Sequence, residues 1–174
     1  LALGAGLGPG LTSCLFFGWR LVGSPSGPAL IWIEGALGIA LLAVLVWPSR
    51  TPKPPDPVSP PADEPARLSW LRWVLWLPFL TALACSARAF YACSVIAPHG
   101  AWDAWAIWNQ HARFLFLGGD GWRLMFDAAL GWSHPDYPLL LPASVARAWT
   151  EIGTANQEAP AALAALFAYG TIAL

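Results

Sequence analysis

The chain has 174 residues, of which 57% are apolar and only 11% are charged, against roughly 25% charged residues in an ordinary soluble domain. Nine basic and ten acidic residues leave a net charge of -1, so nucleic-acid binding has no electrostatic support. The twelve Trp residues favour a membrane protein instead, because the apolar ring and polar N–H of Trp suit a bilayer interface.

Three apolar stretches with few charges predict three transmembrane helices. Each contains the roughly 20 residues that a helix needs to cross a hydrocarbon core. The first two form a hairpin within residues 1–47, and the third covers residues 69–97. The expected fold class is therefore all-α: a polytopic integral membrane protein with an outer loop that carries juxtamembrane helices.

Two charged side chains within these spans need an explanation. Glu34 lies in the second span and Arg88 in the third. Because a charge is unfavourable in lipid, each should face protein or water. Either side chain is structural or lines the path of a charged substrate.

A proline-rich linker occupies residues 48–68 and separates the hairpin from the third span. Its eight prolines favour an extended, polyproline-like segment without a core. Four basic residues in or beside it flank the membrane spans: Arg50, Lys53, Arg67 and Arg72. By the positive-inside rule the linker is cytoplasmic, which places residues 23–28 and 98–158 on the outer face.

The last segment, residues 159–174, is apolar but short. Its 16 residues reach only about 24 Å as a helix, less than the hydrocarbon thickness. We interpret it as a truncated transmembrane helix. Since the chain also begins with Leu, we expect it to be a fragment of a longer protein.

The outer loop, residues 98–158, predicts two helices that lie along the membrane surface. The first covers residues 104–117, with Asp103 as its N-cap and Gly118 as its stop. At 100° per residue, one side of this helix carries Trp102, Trp105 and Asn109. The second helix covers residues 143–152.

A tight turn is expected before the second helix. Pro135 and Pro138 fix the backbone on either side of Asp136 and Tyr137. Pro142 then either starts the second helix or kinks it.

Two motifs in this loop carry a resemblance to a known family. The first is Trp102-Asp103-Ala104-Trp105, and the second, some 30 residues later, begins His134-Pro135-Asp136-Tyr137-Pro138. Together with the preceding span, they resemble the polytopic glycosyltransferases of the C-type fold. This group uses lipid-linked sugars and includes protein mannosyltransferases, aminoarabinose transferases and oligosaccharyltransferases. The resemblance covers residues 70–174.

The resemblance implies an inverting transfer of a sugar from a polyprenyl-phosphate carrier to an acceptor at the outer face. The partners are then a lipid-linked sugar donor and membrane lipid, in a multi-pass protein of the bacterial inner membrane. Asp103 matches the catalytic carboxylate and is the candidate general base. The candidate substrate-binding residues are Trp102, Trp105, Arg113, His134, Asp136 and Tyr137. Ala104 stands where mannosyltransferases usually carry Glu, so the sugar is not assigned.

Several simpler interpretations accompany these candidates. Asp103 suits a helix cap as well as it suits a base, and the Trp residues suit an interfacial belt. The spacing of His99, His111 and His134 matches no metal-ligand motif. We therefore predict no cofactor, although the resemblance leaves a divalent metal open. At the level of the whole protein, the alternatives are a transporter subunit and a non-catalytic membrane scaffold whose outer loop binds a partner.

Overall fold

The computed structural model describes residues 2–23, 28–46 and 69–173. Within these ranges every regular element is a helix and no strand is present, which confirms the all-α prediction. The proline-rich linker, residues 48–68, lies outside the described residues.

The helices follow the predicted segments closely. The hairpin consists of α1 (Ala2–Leu21) and α2 (Pro28–Val46), and the third predicted span is α3 (Ser69–Ile96). The outer loop contains a π-helical turn (Ala104–Trp108), α4 (Asn109–Leu117), two 3-10 helices (Gly119–Phe126 and Ala128–Ser133) and α5 (Leu140–Ile152). The chain continues into α6 (Glu158–Ile172). Pro142 lies in the first turn of α5, where a missing N–H is tolerated.

One helix in the described residues is long and apolar enough to cross a membrane. This segment, Trp73–Ile96, lies within α3 and none of it is buried inside the protein. Two further apolar segments are shorter, Ala29–Val44 and Glu158–Ile172. The structure therefore indicates membrane association through α3, and the additional spans remain predictions.

The hydrophobic core lies where α5 meets the hairpin and the rest of the outer loop. Trp149 and Val145 of α5 are buried with Phe16 of α1, Leu115 of α4 and Met125 of the first 3-10 helix. These short helices each have one apolar face, and packing those faces together removes them from solvent. The helices α1 and α2 thus contribute directly to this core, through Phe16 and Leu30.

A partly buried ion pair connects α2 to α5. Arg147 Nε donates to both carboxylate oxygens of Glu34, at 2.7 and 2.9 Å, and Arg147 Nη2 donates to one of them as well. A second carboxylate, that of Glu151, lies 2.6 Å from Arg147 Nη2. These hydrogen bonds to Glu34 raise the pKa of Arg147 against the opposing effect of burial. The expectation that Glu34 faces protein is confirmed.

By contrast, α3 makes few contacts with the other helices. Tyr169 of α6 provides two of them, with its ring centroid 6.3 Å from that of Phe90 and its hydroxyl 3.3 Å from the hydroxyl of Ser86. Arg88 is exposed and has no ion pair or hydrogen bond with the described residues. A wide space consequently remains between α3 and α6.

Candidate functional site

Asp103 lies in the first turn of the helical stretch that covers residues 102–117. The prediction that it is the N-cap is wrong. Its φ of -62° and ψ of -34° are helical, and its side chain makes no capping bond. The helix begins earlier because the amides of Ala104 and Trp105 donate to the carbonyl of Ala101, at 2.9 and 3.3 Å. At the other end, Gly118 caps α4 as predicted.

The π-helical turn, Ala104–Trp108, follows Asp103 directly. Its hydrogen bond joins the amide of Asn109 to the carbonyl of Ala104, five residues earlier. This turn accommodates one more residue than an α-helical turn and rotates all later residues relative to Asp103. The prediction assumed a constant 100° per residue, which this turn does not keep. Trp105 is exposed and Asn109 is buried.

Exposed Trp side chains surround the start of this helix. The ring of Trp102 packs edge-on against Trp105, with centroids 4.8 Å apart, and lies 6.4 Å from Trp132 of the second 3-10 helix. Asp103 is exposed between Trp102 and Ala104 in the chain. It makes no hydrogen bond or ion pair with the described residues, so its carboxylate is free to contact a substrate.

A second aromatic group joins the predicted turn to the π-helical turn. The ring of His134 stacks on Tyr137, with centroids 4.6 Å apart and planes 17° apart. Tyr137 in turn lies 5.6 Å from Trp108. The amide of Tyr137 donates to the carbonyl of His134 at 3.0 Å, which confirms the turn.

The backbone of His134 adopts an unusual conformation. Its φ of 52° makes it the one non-glycine residue with positive φ in the described chain. This left-handed conformation is disfavoured for a residue with a Cβ, and it is found often at functional sites. The stacking on Tyr137 fixes the imidazole where the chain turns toward α5.

A cavity of about 640 Å³ lies beside the Asp103 helix, within the size range of small-molecule sites. It opens between α3, the π-helical turn and α6, and most of its lining is apolar. Its members include Phe90, Ser94, His99, Gly100, Ala101, Ala104, Trp108, Asn109, Ala164 and Phe167. Trp108 lines the cavity and also contacts Tyr137, so the second aromatic group lies next to the cavity wall.

Gly100 shapes the wall of this cavity. Its φ is 77°, and a Cβ at this position would lie 2.5 Å from the Cβ of Ala104. Glycine is required here both for the backbone conformation and for the close approach. Ala101 and Ala104 line the cavity on either side of Asp103 in the chain, whereas Asp103 itself does not line it.

Two further predicted site residues, Arg113 and Asp136, make no hydrogen-bond or ion-pair contact with Asp103. Arg113 is ten residues farther along the helix, a rise of about 15 Å. Arg113 and Asp136 are both exposed, and neither forms a hydrogen bond or ion pair with the described residues. The structure thus brings Trp102 and Trp105 next to Asp103 but does not bring Arg113 into contact with it.

No group of three His, Cys, Asp or Glu side chains able to hold a metal ion occurs in residues 2–23, 28–46 and 69–173. His99 instead lies within 2.9 Å of the Gln157 side-chain amide, and its carbonyl accepts a hydrogen bond from Asn109 Nδ2 at 3.3 Å. His111 is on the far side of the π-helical turn in the chain. The three histidines therefore have separate surroundings.

His111 is a buried residue whose position the sequence pattern did not reveal. Its side chain is 1% exposed, and its Nε2 lies 3.5 Å from the hydroxyl of Ser133. The other ring nitrogen, Nδ1, is buried without a hydrogen-bond partner. Burial lowers the pKa of His111 because the charged imidazolium is poorly solvated there.

We expect His111 to make the protein less stable in mild acid. In the unfolded chain a histidine titrates near pH 6.5, whereas in the folded chain its pKa is lower. As the pH falls below about 6.5, the unfolded state binds a proton first and the free energy of unfolding decreases, until the folded pKa is passed. Thermal unfolding between pH 7.5 and 5 measures this slope. The His111→Gln variant should have a shallower slope, and an equal slope would contradict the prediction.

Comparison of this chain with protein-family models, with curated proteins and with solved structures found no match.

Proposed function

We propose that this protein is a membrane glycosyltransferase that moves a sugar from a polyprenyl-phosphate carrier to an acceptor, with Asp103 as the general base. One observation carries the proposal: an exposed carboxylate without a partner in the described chain begins a Trp-rich helix beside a cavity of about 640 Å³. The cavity borders α3, the helix that can span a membrane. An apolar carrier and a polar reaction centre could therefore meet at this junction.

The chemistry needs only one proton acceptor at the reacting hydroxyl. The acceptor hydroxyl forms a bond to the anomeric carbon while the bond from that carbon to the phosphate oxygen breaks. The electron pair leaves with the phosphate, and the hydroxyl proton passes to the Asp103 carboxylate. A single displacement of this kind inverts the anomeric configuration.

The aromatic side chains have two roles in this proposal. Tyr137 and His134 present a stacked surface to the sugar ring, while Trp108 links that surface to the cavity that would accept isoprene units. Trp102 and Trp105 provide the apolar surroundings of Asp103. In this proposal Arg113 and Asp136 lie at the edge of the site, where they make polar contacts with the acceptor and not with the reacting phosphate.

The proposed setting is a multi-pass protein of the bacterial inner membrane, in which α1, α2 and α6 span the bilayer alongside α3. The contacts that support this arrangement are those of the hairpin. The carboxyl end of α1 and the outer loop are in contact, because the carbonyl of Leu21 accepts a hydrogen bond from Arg123.

The test measures release of free polyprenyl phosphate, which every sugar and acceptor would produce. Membranes containing the full-length protein are incubated with polyprenyl phosphates that carry a hexose, a pentose or an aminosugar. We expect at least one donor to be cleaved faster than in membranes without the protein. If no donor were cleaved faster than in membranes without the protein, the proposal would be contradicted. A donor that crosses the membrane uncleaved would also contradict it, because that is the behaviour of a transporter.

A further inference from the structure

Two arginines from distant parts of the chain meet at the carboxyl end of α1. Arg20 Nη2 donates to the carbonyl of Gly119 at 2.8 Å, and Arg123 Nη2 donates to the carbonyl of Leu21 at 3.4 Å. Each guanidinium thus binds the backbone segment that carries the other arginine. Both cationic groups therefore lie at one junction between two segments, the end of α1 and residues 119–123.

The positive charge of this pair is only partly balanced. Neither arginine forms an ion pair with a carboxylate of the described chain, although Asp120 is close enough to interact electrostatically with Arg20. Arg20 is 7% exposed, and its Nε–H is buried without an acceptor. A buried charged donor without an acceptor is unfavourable, so an anion at this junction would stabilise it.

Apolar side chains project around the arginine pair. Leu21, Val22, Leu124 and Phe126 are all exposed to solvent by 45% or more. Arg123 itself packs over the ring of Trp122, with its Cζ 4.6 Å from the ring centroid. Cationic groups bordered by exposed apolar side chains match a ligand that combines an anionic head with a hydrocarbon chain.

We propose that Arg20 and Arg123 bind the phosphate of an anionic phospholipid headgroup, with Leu124 and Phe126 against its acyl chains. The exposed guanidinium of Arg123 suits this anion because it can present N–H donors to phosphate oxygens. The buried Arg20 adds its positive charge beside it. The site is separate from the one proposed for sugar transfer. Arg123 follows the end of the Asp103 helix, which is about 22 Å long at 1.5 Å per residue, so one donor phosphate cannot reach both.

The test compares lipid binding by the full-length protein in detergent, using native mass spectrometry with phosphatidylglycerol and phosphatidylcholine. Because one arginine near a membrane surface changes lipid affinity about fivefold, the Arg123→Gln variant should lose about that factor for phosphatidylglycerol only. Arg123 is exposed, so this variant keeps the core intact. The Asp120→Asn variant should bind phosphatidylglycerol more tightly, since it removes the one nearby negative charge.

Two further arms decide the identity of the ligand. Arg113→Gln, which removes an exposed arginine elsewhere in the loop, should leave phosphatidylglycerol binding unchanged. Excess inorganic phosphate should not displace the lipid; complete displacement would show that the site binds free phosphate and would overturn the proposal. Wild-type lipid binding in both the Arg123→Gln and the Asp120→Asn variants would overturn it as well.

Discussion

The Asp103→Asn variant should release polyprenyl phosphate about 100- to 10,000-fold more slowly than the wild-type protein, the range that a general base contributes. Asn has the shape of Asp but cannot accept the proton of the attacking hydroxyl. Asp103 has no hydrogen-bond or ion-pair partner in the described chain, so the substitution removes the base without breaking a visible contact. The rate is measured in membranes that contain equal amounts of each protein.

Three comparisons make this result specific. Asp127→Asn is a matched control in the same loop. Its side-chain amide oxygen can still accept the hydrogen bond from the Ala129 amide, which is 2.8 Å long in the wild-type protein. Asp103→Glu keeps a carboxylate but moves it, and should recover part of the rate. Because Asp103 forms no cap, Asp103→Asn should also melt at the wild-type temperature. A wild-type rate in Asp103→Asn would remove this residue from the mechanism.

The Arg147→Ala variant should lower the free energy of unfolding by about 3 kcal/mol, the lower end of the effect of breaking a buried ion pair, because Arg147 is partly exposed. The Glu34 side chain is only 7% exposed, so its carboxylate would be left buried and without its cation. Thermal unfolding in detergent, followed through Trp fluorescence, measures the change. Trp149, two residues after Arg147 on α5, is a fluorophore inside the affected core.

Two variants separate loss of the pair from loss of charge in general. Glu151→Ala removes the more exposed partner of Arg147 and should cost at most about 1 kcal/mol, as for a surface ion pair. The double variant Glu34→Leu with Arg147→Leu leaves only the more exposed Glu151 without its cation, and should recover much of the stability. If Arg147→Ala and Glu151→Ala lowered the free energy of unfolding equally, the ion pair between Arg147 and Glu34 would not be the main source of stabilisation.

The extent of the helices was predictable because it depends on contiguous composition. The third span was predicted over residues 69–97, and α3 is Ser69–Ile96. The stop at Gly118 and the turn at Pro135 were also predictable, since glycine and proline restrict the local backbone. Each of these features is set by residues that are neighbours in the chain.

The features that local patterns could not supply arise from distant contacts or from irregular helix geometry. Glu34 was expected to need a partner, but Arg147 lies 113 positions later and no spacing rule connects them. His111 looked like one of several polar residues on an aromatic helix, and only the packing of Ser133 against it shows its burial. The π-helical turn, Ala104–Trp108, was also missed, because the prediction assumed a constant 100° per residue.

The separation of Glu34 from Arg147 has a consequence for the order of events during synthesis. The ribosome adds about 5–20 residues per second, so α2 waits on the order of 6–20 s before the arginine 113 positions later is made. Throughout that interval Glu34 lacks the counter-ion that Arg147 provides in the folded chain. In the proposed multi-pass arrangement, the hairpin must therefore be kept near water, or in the protein channel that inserts it, until α5 emerges. The contact between α2 and α5 is then one of the last to form.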